Sequence, residues 1–416
     1  MNKHKKLIGP FQQLISMSAL PLKGALKDEQ LNIIPYAGVF IEGGEIKAIG
    51  DFAALEKQYN HQDIRIEYLE DDLVALPGLI DAHTHICFGG SRAKDYAARN
   101  NGKSYLEIAR DGGGIWDTVT QTRKASEAEL ISLMQQRLGR LLQHGITTVE
   151  IKSGYGLGVE HELKLLRAIQ QVSNKHVSDV ISTCLAAHIV PKELADERVY
   201  LQLILDELVP AIKKESLTNR FDIFIEEGAF SVSASKSYLQ RLKEAGFQLT
   251  VHGDQFSTGG SQLAIDCGAL SVDHLEASGE QEISALAKSD TIPVALPGAS
   301  IGLGCNFAPA RKLLDAGCSL AIASDWNPGS APQGNLLVQA SILGAFEKLS
   351  TAEVLAGITY RAAQALGFQD RGRLAAATIA DIIAFPCSDY REILYHQGEL
   401  KVKDVWKRGI KVNEET

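Results

Sequence analysis

Histidines in this sequence recur at the ends of short apolar segments, where their side chains could act together. His83 and His85 end one such segment, His252 and His274 end two others, and Asp325 ends a fourth. A mixed set of imidazole and carboxylate ligands suits Zn²⁺ or iron (Fe²⁺/Fe³⁺) better than Mg²⁺ or Ca²⁺, which prefer oxygen ligands. The residue types therefore predict one divalent metal ion held by His83, His85, His252 and Asp325.

The pair His83 and His85 carries most of this prediction. Residues i and i+2 of a strand face the same side, so both imidazoles can reach one metal ion. Two polar residues on a solvated strand face are the plainer interpretation, but the apolar segment 77–82 before them disfavours it. A lone histidine such as His252 is more often a hydrogen-bonded core residue than a metal ligand. The presence of His83 and His85 on another strand reverses that preference.

Several other features have more than one interpretation. His274 could be a ligand or a general acid or base, and Asp325 could instead be a helix N-cap. Arg92 could be an ordinary surface arginine or a guanidinium clamp for a substrate carboxylate. The glycine-rich segment 154–158 lacks the spacing of a phosphate-binding loop. Residues 112–114, three glycines, indicate a loop near the site, and whether it acts as a lid stays open.

The elements that would position these residues alternate between helix and strand. Residues 126–129 form a capping box, which satisfies free N–H groups at a helix start. Leucines then recur at helical spacing up to Gly145, where the helix is predicted to end. The β-branched run 146–151 follows as a strand. Helix followed by strand, repeated along the chain, predicts a parallel sheet.

Eight candidate strands lie in the middle of the chain, and the candidate site residues fall at their carboxyl ends. Eight βα units over roughly 290 residues fit a distorted (β/α)8 TIM-like barrel, in which active sites lie at that end. A doubly wound open sheet is the main alternative. The predicted strands cover residues 78–85, 146–152, 180–188, 221–227, 248–252, 270–274, 292–296 and 319–325.

Both ends of the chain have a different character. A glycine turn links two predicted strands within residues 36–49, and similar strands are predicted within residues 381–410. We therefore predict a small β-sandwich domain composed of residues 1–75 and 366–416, beside a barrel domain of residues 76–365.

Composition narrows the range of partners. The chain has 416 residues and a formal net charge of −9, which argues against nucleic acid and anionic membrane surfaces. We find no apolar run near the ~18 residues of a membrane span, and no apolar segment of a signal peptide behind the N-terminal lysines. The six cysteines show no paired spacing, which favours a reducing cytoplasm. A small-molecule substrate is expected, and base rates favour a homodimer.

Several motifs resemble those of known proteins. The segments 77–85 and 359–381 resemble signatures of the metal-dependent amidohydrolase superfamily. Narrower motifs are similar to those of the imidazolonepropionases within it: Phe88-Gly-Gly-Ser-Arg92, Glu150-Ile-Lys-Ser-Gly-Tyr-Gly-Leu157, Ala187-His188, Val251-His-Gly-Asp254 and Ser324-Asp-Trp-Asn-Pro-Gly-Ser330. The resemblance extends from about residue 20 to residue 410.

The resemblance implies an activity and a set of residue roles. Imidazolonepropionases use a metal-activated water to hydrolyse 4-imidazolone-5-propanoate to N-formimidoyl-L-glutamate in histidine degradation. Their ligand positions fall on the four metal ligands already named, and catalytic roles are implied for His188, His274 and Asp325. Substrate contacts are implied for Arg92, Tyr155, His188, Gln255, Asn327, Gly329 and Ser330.

Two departures from the patterns of the superfamily bear on mechanism. Many relatives place a glutamate that shuttles protons three residues after the third histidine ligand, but Gln255 stands here and cannot titrate. Proton transfer would then fall to Asp325, His274 or the substrate itself. Two-metal relatives use a carboxylated lysine on the fourth strand, where this chain has Glu226, and Lys152 lies on the second strand. One metal ion is therefore favoured.

Two other functions stay open from the sequence. A deaminase of purine or pyrimidine rings on the same fold would be expected to carry a glutamate at position 255 and no carboxylate clamp. A metal-free scaffold protein would be expected to have lost metal ligands, whereas all four positions here hold residues of ligand type.

Overall fold

The computed structural model describes residues 5–60, 63–103, 105–194 and 196–412. These ranges contain two sheets, each of eight strands. In chain order the strands are β1 (Lys5–Ile15), β2 (Ile33–Glu42), β3 (Glu45–Asp51), β4 (Arg65–Tyr68), β5 (Val74–Pro77), β6 (Leu79–Asp81), β7 (Ile146–Lys152), β8 (Asp179–Ala187), β9 (Arg220–Ile225), β10 (Gln248–Gly253), β11 (Ser271–His274), β12 (Ile292–Ala295), β13 (Ala321–Ile322), β14 (Ile382–Phe385), β15 (Asp404–Lys407) and β16 (Ile410–Lys411).

Helices connect many of the strands, and all but the first and the last of the α-helices in the described ranges lie in the middle region. They are α1 (Phe52–Tyr59), α2 (Ala93–Asn100), α3 (Tyr105–Arg110), α4 (Ile115–Lys124), α5 (Glu127–Gln143), α6 (Val159–Ser173), α7 (Glu197–Leu203), α8 (Val209–Glu215), α9 (Val232–Glu244), α10 (Gly260–Cys267), α11 (Glu280–Ala287), α12 (Pro297–Leu303), α13 (Ala310–Asp315), α14 (Leu336–Glu347), α15 (Thr351–Gly357), α16 (Tyr360–Ala365) and α17 (Arg391–Tyr395). A 3₁₀ turn covers Asp28–Gln30, and a π-helical turn, Ile204–Leu208, joins α7 to α8. Within the described ranges, none of the helices has both the length and the apolar character needed to cross a bilayer.

Strands β6 to β13 lie side by side in chain order, and every neighbouring pair is parallel. The ring closes where the Asp325 N–H donates to the His83 carbonyl at 3.0 Å and the His85 N–H donates to the Trp326 carbonyl at 2.9 Å. A doubly wound sheet would reverse its strand order part-way across. The predicted barrel is therefore confirmed, and the open-sheet alternative is wrong.

The barrel is least regular at this seam. The first barrel strand was predicted over residues 78–85 but ends at Asp81, and the eighth keeps regular geometry only over Ala321–Ile322. The Asp81 carboxylate accepts the Ser324 N–H at 2.9 Å, where a regular ladder would use a main-chain carbonyl. The residues that follow each short strand include the candidate ligands, and their main chains are joined across the seam only by isolated hydrogen bonds.

The other sheet is built from both ends of the chain. Its order is β16-β15-β14-β5-β1-β2-β3, with β4 also pairing with β1. Its inner face encloses an apolar core in which Phe11 and Trp406 meet edge to face. Strand β5 extends to Pro77, two residues beyond the boundary predicted at residue 75. A single residue, Gly78, separates it from the first barrel strand.

Ion pairs attach this terminal sheet to the amino end of the barrel strands. Asp179, the first residue of β8, lies 2.8 Å from Arg371 Nη1 and 2.8 Å from Lys407 Nζ. Lys407 Nζ also lies 2.5 Å from Asp381 Oδ2, and both side chains are only 5% exposed. This junction lies at the opposite end of the strands from the candidate site.

Helix α5 shows how local sequence sets the elements around the barrel. Ser126 Oγ accepts the Glu129 N–H at 3.2 Å, and the Glu129 carboxylate accepts the Ser126 N–H at 2.8 Å, as the capping box predicts. Leu130, Met134 and Leu138 are buried on one face, and Gly145 follows the helix with a φ of 80°.

We expect Ser126→Ala to lower the free energy of unfolding by about 1 kcal/mol, because the first turn of α5 loses its cap. Urea denaturation followed by circular dichroism would measure the change. Ser132→Ala, at an exposed position of the same helix, is the matched control and should leave the midpoint within error. Equal midpoints for both variants would contradict the stabilising role of the cap.

Candidate active site

The predicted metal ligands meet at the carboxyl end of the barrel. His83 Nε2 lies 3.1 Å from His85 Nε2, which lies 3.3 Å from His252 Nε2. Asp325 Oδ1 lies 3.5 Å from His83 Nε2 and 3.3 Å from His85 Nε2. All four side chains are buried. Residues from the first, fifth and eighth barrel strands thus point four donor atoms at one small volume.

Two of these imidazoles are oriented from behind by carboxylates. His83 Nδ1 lies 2.7 Å from Asp273 Oδ2, and His252 Nδ1 lies 2.9 Å from Asp222 Oδ2. Because a carboxylate only accepts, His83 Nδ1 carries the proton and His83 Nε2 presents a lone pair. Burial lowers the pKa of His252 to about 3, so its ring is neutral.

This donor set fits a metal ion. Three imidazole Nε2 atoms and one carboxylate oxygen converge at 3.1–3.5 Å in a buried volume, where their lone pairs could bind one cation. Burial lowers the pKa of His85 to about 3, so it too is neutral and available as a ligand. The arrangement is that of a nitrogen-rich site for a divalent transition metal.

The second oxygen of Asp325 is also engaged. Asn327 Nδ2 donates to Asp325 Oδ2 at 2.9 Å, and Ser330 Oγ lies 3.4 Å from the same atom. Asn327 Oδ1 in turn accepts the N–H groups of Gly329 and Ser330 at 2.7 and 2.8 Å. The turn 327–330 therefore fixes the carboxylate. The next helix, α14, begins after the N-cap Asn335, so the N-cap interpretation of Asp325 is wrong.

A buried lysine lies behind the ligands. Lys152 Nζ is 2.7 Å from Asp222 Oδ2, 2.8 Å from Glu150 Oε2 and 3.6 Å from Asp273 Oδ2. Burial alone would lower the pKa of Lys152, but these three carboxylates outweigh it and raise that pKa above its ordinary value. Asp222, His252 and Asp273 form a second cluster of potential ligands. Lys152 contacts both of its carboxylates and supplies a positive charge there.

Sequence reasoning missed Glu150, Asp222 and Asp273 as parts of the site. Glu150 and Lys152 alternate on β7, so they share a face, and Asp222 interrupts an otherwise apolar strand. Charged side chains buried in strands are costly unless they are paired. Charged residues within these apolar strands were therefore the sequence signal that could have identified this part of the site.

A cavity of about 610 Å³ opens beside the ligands, and all seven residues predicted to contact substrate line it: Arg92, Tyr155, His188, Gln255, Asn327, Gly329 and Ser330. Their roles in binding stay predictions. A Cβ at Gly329 would lie 2.4 Å from Arg92 Nη1, so a side chain there would displace the guanidinium. Arg99 also lines the cavity. It stands seven residues, two helical turns, after Arg92, a spacing that could have identified it.

Arg92 is held by the loop that follows the first strand. Asp95 Oδ2 accepts from Arg92 Nε at 2.8 Å and from the Gly114 N–H at 2.8 Å. A Cβ at Gly113 would lie 2.4 Å from Asp95 Oδ1. Ile115, the next residue after this glycine loop, lines the cavity. The loop 112–114 is therefore attached to the arginine through one carboxylate.

His188 is hydrogen-bonded to the loop that carries Tyr155. The Gly154 carbonyl accepts from His188 Nδ1 at 3.0 Å, so that nitrogen carries the proton. Burial lowers the pKa of His188 to about 3, and its Nε2 is consequently an acceptor. Burial raises the pKa of the Tyr155 hydroxyl above its ordinary value, which keeps it a donor.

A buried glutamate holds the backbone of this loop. The Glu162 carboxylate accepts the N–H groups of Gly154 at 3.0 Å, Gly156 at 2.7 Å and Leu157 at 2.8 Å. Three amides thus surround Tyr155 and share a single acceptor on α6. The sequence alone predicted no role for Glu162.

His274 lies beside the ligand cluster. Its ring centroid is 5.5 Å from that of His252 and 6.1 Å from that of His83. His274 Nδ1 lies 3.4 Å from Glu276 Oε2. Burial lowers the pKa of His274, but Glu276 and the nearby aspartates outweigh it, so the net shift is upward. The geometry favours an acid or hydrogen-bond donor over a ligand, and Glu276 is the partner that sequence reasoning missed.

Gln255 and Glu226 occupy one wall of the cavity. Glu226 Oε2 accepts the N–H groups of Phe256 at 2.8 Å and Ser257 at 3.1 Å, and Oε1 accepts the Glu227 N–H at 2.9 Å. The Glu226 carboxylate therefore fixes the loop that carries Gln255.

Comparison with known proteins shows the family to which this chain belongs. The sequence model described as "Amidohydrolase family" matches residues 74–412. An imidazolonepropionase of Bdellovibrio bacteriovorus is 39% identical over 93% of this chain and 91% of its own length. Those of Symbiobacterium thermophilum and Herpetosiphon aurantiacus are each 39% identical, over 95% and 97% of this chain and 94% and 96% of their own lengths. This chain belongs to the imidazolonepropionases of the amidohydrolase family.

Solved structures agree on the fold. An atrazine chlorohydrolase from Arthrobacter aurescens complexed with zinc superposes with a TM-score of 0.73 at 16% identity, covering 98% of this chain and 95% of that chain. An adenosine deaminase from Xanthomonas campestris with bound zinc gives a TM-score of 0.72 at 17% identity, covering 100% and 95%. At such identity the likeness shows the fold alone.

We expect Glu162→Gln to speed hydrogen exchange of the amides of residues 154–157 by roughly tenfold or more, because an ionic acceptor is worth about 1.5–3 kcal/mol. Hydrogen–deuterium exchange of the matching peptide would measure this. Glu160→Gln, at an exposed position in the first turn of α6, is the matched control and should leave exchange unchanged. Unchanged exchange in both variants would remove Glu162 from the support of this loop.

Proposed function

We propose that this chain hydrolyses the cyclic amide C–N bond of 4-imidazolone-5-propanoate, which gives N-formimidoyl-L-glutamate in histidine degradation. The observation that carries the proposal is the pairing, in one cavity, of a cation-binding cluster with an arginine-bearing wall. Such a cavity suits a small molecule with a hydrolysable bond at one end and a carboxylate at the other. The names of the relatives support the choice of substrate.

The proposed metal ligands are His83, His85, His252 and Asp325, and the ion is Zn²⁺ or iron. When bound, such a metal lowers the pKa of water to roughly 7 and so supplies the nucleophile. Two contacts support a single ion. Glu226 is occupied by the N–H groups of its loop, and Lys152 lies between the carboxylates of the second cluster.

The two remaining histidines suit opposite tasks. His188 presents an acceptor at Nε2, which can receive a ring N–H of the substrate. His274, with Glu276 at Nδ1, can donate from Nε2 to the amide oxygen as negative charge develops there. The substrate ring carries both an N–H and a carbonyl, so the pair can fix its orientation.

Arg92 is proposed to bind the propanoate carboxylate. Its guanidinium lies against Gly329, where the missing side chain leaves room for the guanidinium itself. The protonated hydroxyl of Tyr155 can donate to the same carboxylate, and Ser330 and Asn327 border it. Charge-assisted hydrogen bonds of this kind are the strongest neutral-pH contacts available to a carboxylate.

Proton transfer is proposed to pass through Asp325. The water oxygen bonds to the amide carbon, the ring C–N bond breaks, and the leaving nitrogen takes up a proton. Asp325 can accept the proton of water and return it to that nitrogen, while Asn327 holds the carboxylate in place. Gln255 can orient the ring but cannot transfer a proton.

We further propose a cytoplasmic homodimer. All six cysteines are unpaired, and five of them are buried, which suits a reducing compartment. The dimer is the commonest state among soluble oligomers.

Turnover of imidazolone propanoate, generated in place from urocanate by urocanase, tests the proposal. We expect the metal-loaded wild type to consume it, and Arg92→Ala to raise KM by roughly 10- to 100-fold, the worth of a charged hydrogen bond. Absorbance loss would be followed at several substrate concentrations. Arg140→Ala, at an exposed position of α5, is the control and should keep the wild-type KM. No turnover by metal-replete wild type would overturn the substrate assignment and lead next to guanine and cytosine deamination assays.

We expect His274→Ala to lower kcat by about 10²- to 10³-fold, as when one donor to an oxyanion is removed. Its metal content, measured by inductively coupled plasma mass spectrometry, should equal that of wild type, because the ring lies outside the ligand set. His396→Ala, at a side chain that is 41% exposed, is the control. Near-wild-type turnover by His274→Ala with full metal would remove His274 from the mechanism.

A further inference from the structure

Lys152, on strand β7, contacts both Asp222 and Asp273, the carboxylates beside two of the proposed metal ligands. Lys152 Nζ lies 2.7 Å from Asp222 Oδ2, and that same oxygen lies 2.9 Å from His252 Nδ1. Lys152 Nζ also lies 3.6 Å from Asp273 Oδ2, which accepts from His83 Nδ1 at 2.7 Å. A single ammonium group therefore connects two separate carboxylate–imidazole pairs.

The lysine itself cannot move freely. Its side chain is fully buried, and its shortest remaining contact is with Glu150 Oε2 at 2.8 Å, two residues earlier on the same strand. Asp273 has further support, because Ser271 Oγ donates to its Oδ1 at 2.8 Å. Asp222 Oδ1 accepts main-chain N–H groups, from Ile223 at 2.7 Å and from His252 at 3.2 Å. Among these side chains Lys152 is the one group that contacts both aspartates.

We infer that Lys152 is a positioning residue for the metal centre. It holds Asp222 and Asp273 at a fixed separation, and each aspartate sets the ring orientation of one histidine ligand. The inference rests on the proposed metal centre. Removing the ammonium leaves the two aspartates without their common partner, so the two imidazoles lose their fixed relation to each other. Partners behind metal ligands commonly contribute about 10- to 100-fold to metal affinity.

Competition with a chromophoric chelator for Zn²⁺ would test this on the purified full chain. Lys152→Met keeps the length of the side chain and removes its charge, and we expect the Zn²⁺ dissociation constant to rise by about 10- to 100-fold. Lys407→Met is the matched control. It removes a lysine equally engaged with two aspartates, Asp179 and Asp381, at the far end of the barrel. It should lower the melting temperature and leave zinc affinity unchanged.

A second comparison decides the matter if Lys152→Met does not fold. In the double variant Lys152→Met/Asp273→Asn, the lost ammonium is offset by one lost carboxylate, but Asp222 still lacks its partner. We expect this variant to bind Zn²⁺ about tenfold more weakly than Asp273→Asn alone. Equal affinity of the two would overturn the inference, as would wild-type affinity in a folded Lys152→Met.

The wild type separates this inference from the proposed function. If the wild type binds no Zn²⁺, the proposed metal centre fails. If the wild type binds Zn²⁺ and the Lys152 variants bind it equally well, only the positioning role fails. The readout is metal affinity, so neither conclusion depends on turnover.

Discussion

Mutual repulsion among buried acceptors is the constraint around which this barrel is built. The Nε2 atoms of His83, His85 and His252 approach one another to within hydrogen-bond distance, together with an oxygen of Asp325. A neutral imidazole carries only one N–H, so protons can bridge few of these contacts, and lone pairs repel one another across the others. A cation among these atoms would remove that repulsion, and the surrounding groups keep the acceptors in place.

Side chains behind the proposed metal ligands hold those ligands in place. Asp222 and Asp273 fix two rings, Lys152 connects the two aspartates, and Asn327 fixes the carboxylate of Asp325. Residues of the cavity wall are also supported by buried carboxylates. Glu162 on α6 holds the loop of Tyr155, and Asp95 holds Arg92. Lys152 is tolerated inside the barrel because carboxylates surround it, and Glu162 because three amide N–H groups donate to it.

Much of this was predictable from residue types and periodicity. Helix and strand alternation predicted the barrel, and histidines at strand ends predicted the cluster that the structure shows, because parallel strands bring their carboxyl ends together. The residues that contact the proposed ligands from behind were not predicted. Asp222 and Asp273 act on His252 and His83, which are distant from them in the sequence, and no local pattern specifies which carboxylate meets which imidazole. The early end of β6 was also missed, since it depends on a side chain, Asp81, that replaces a main-chain acceptor across the seam.

The position of the ligands at that seam has a consequence for folding. His83 and His85 stand on one side of the closure and Asp325 on the other, where few main-chain hydrogen bonds join the first and last strands. The proposed ion, held by all three, would join the first strand of the ring to the last. Barrel closure and metal binding would then be thermodynamically linked, and free metal in excess of its dissociation constant would stabilise the closed ring.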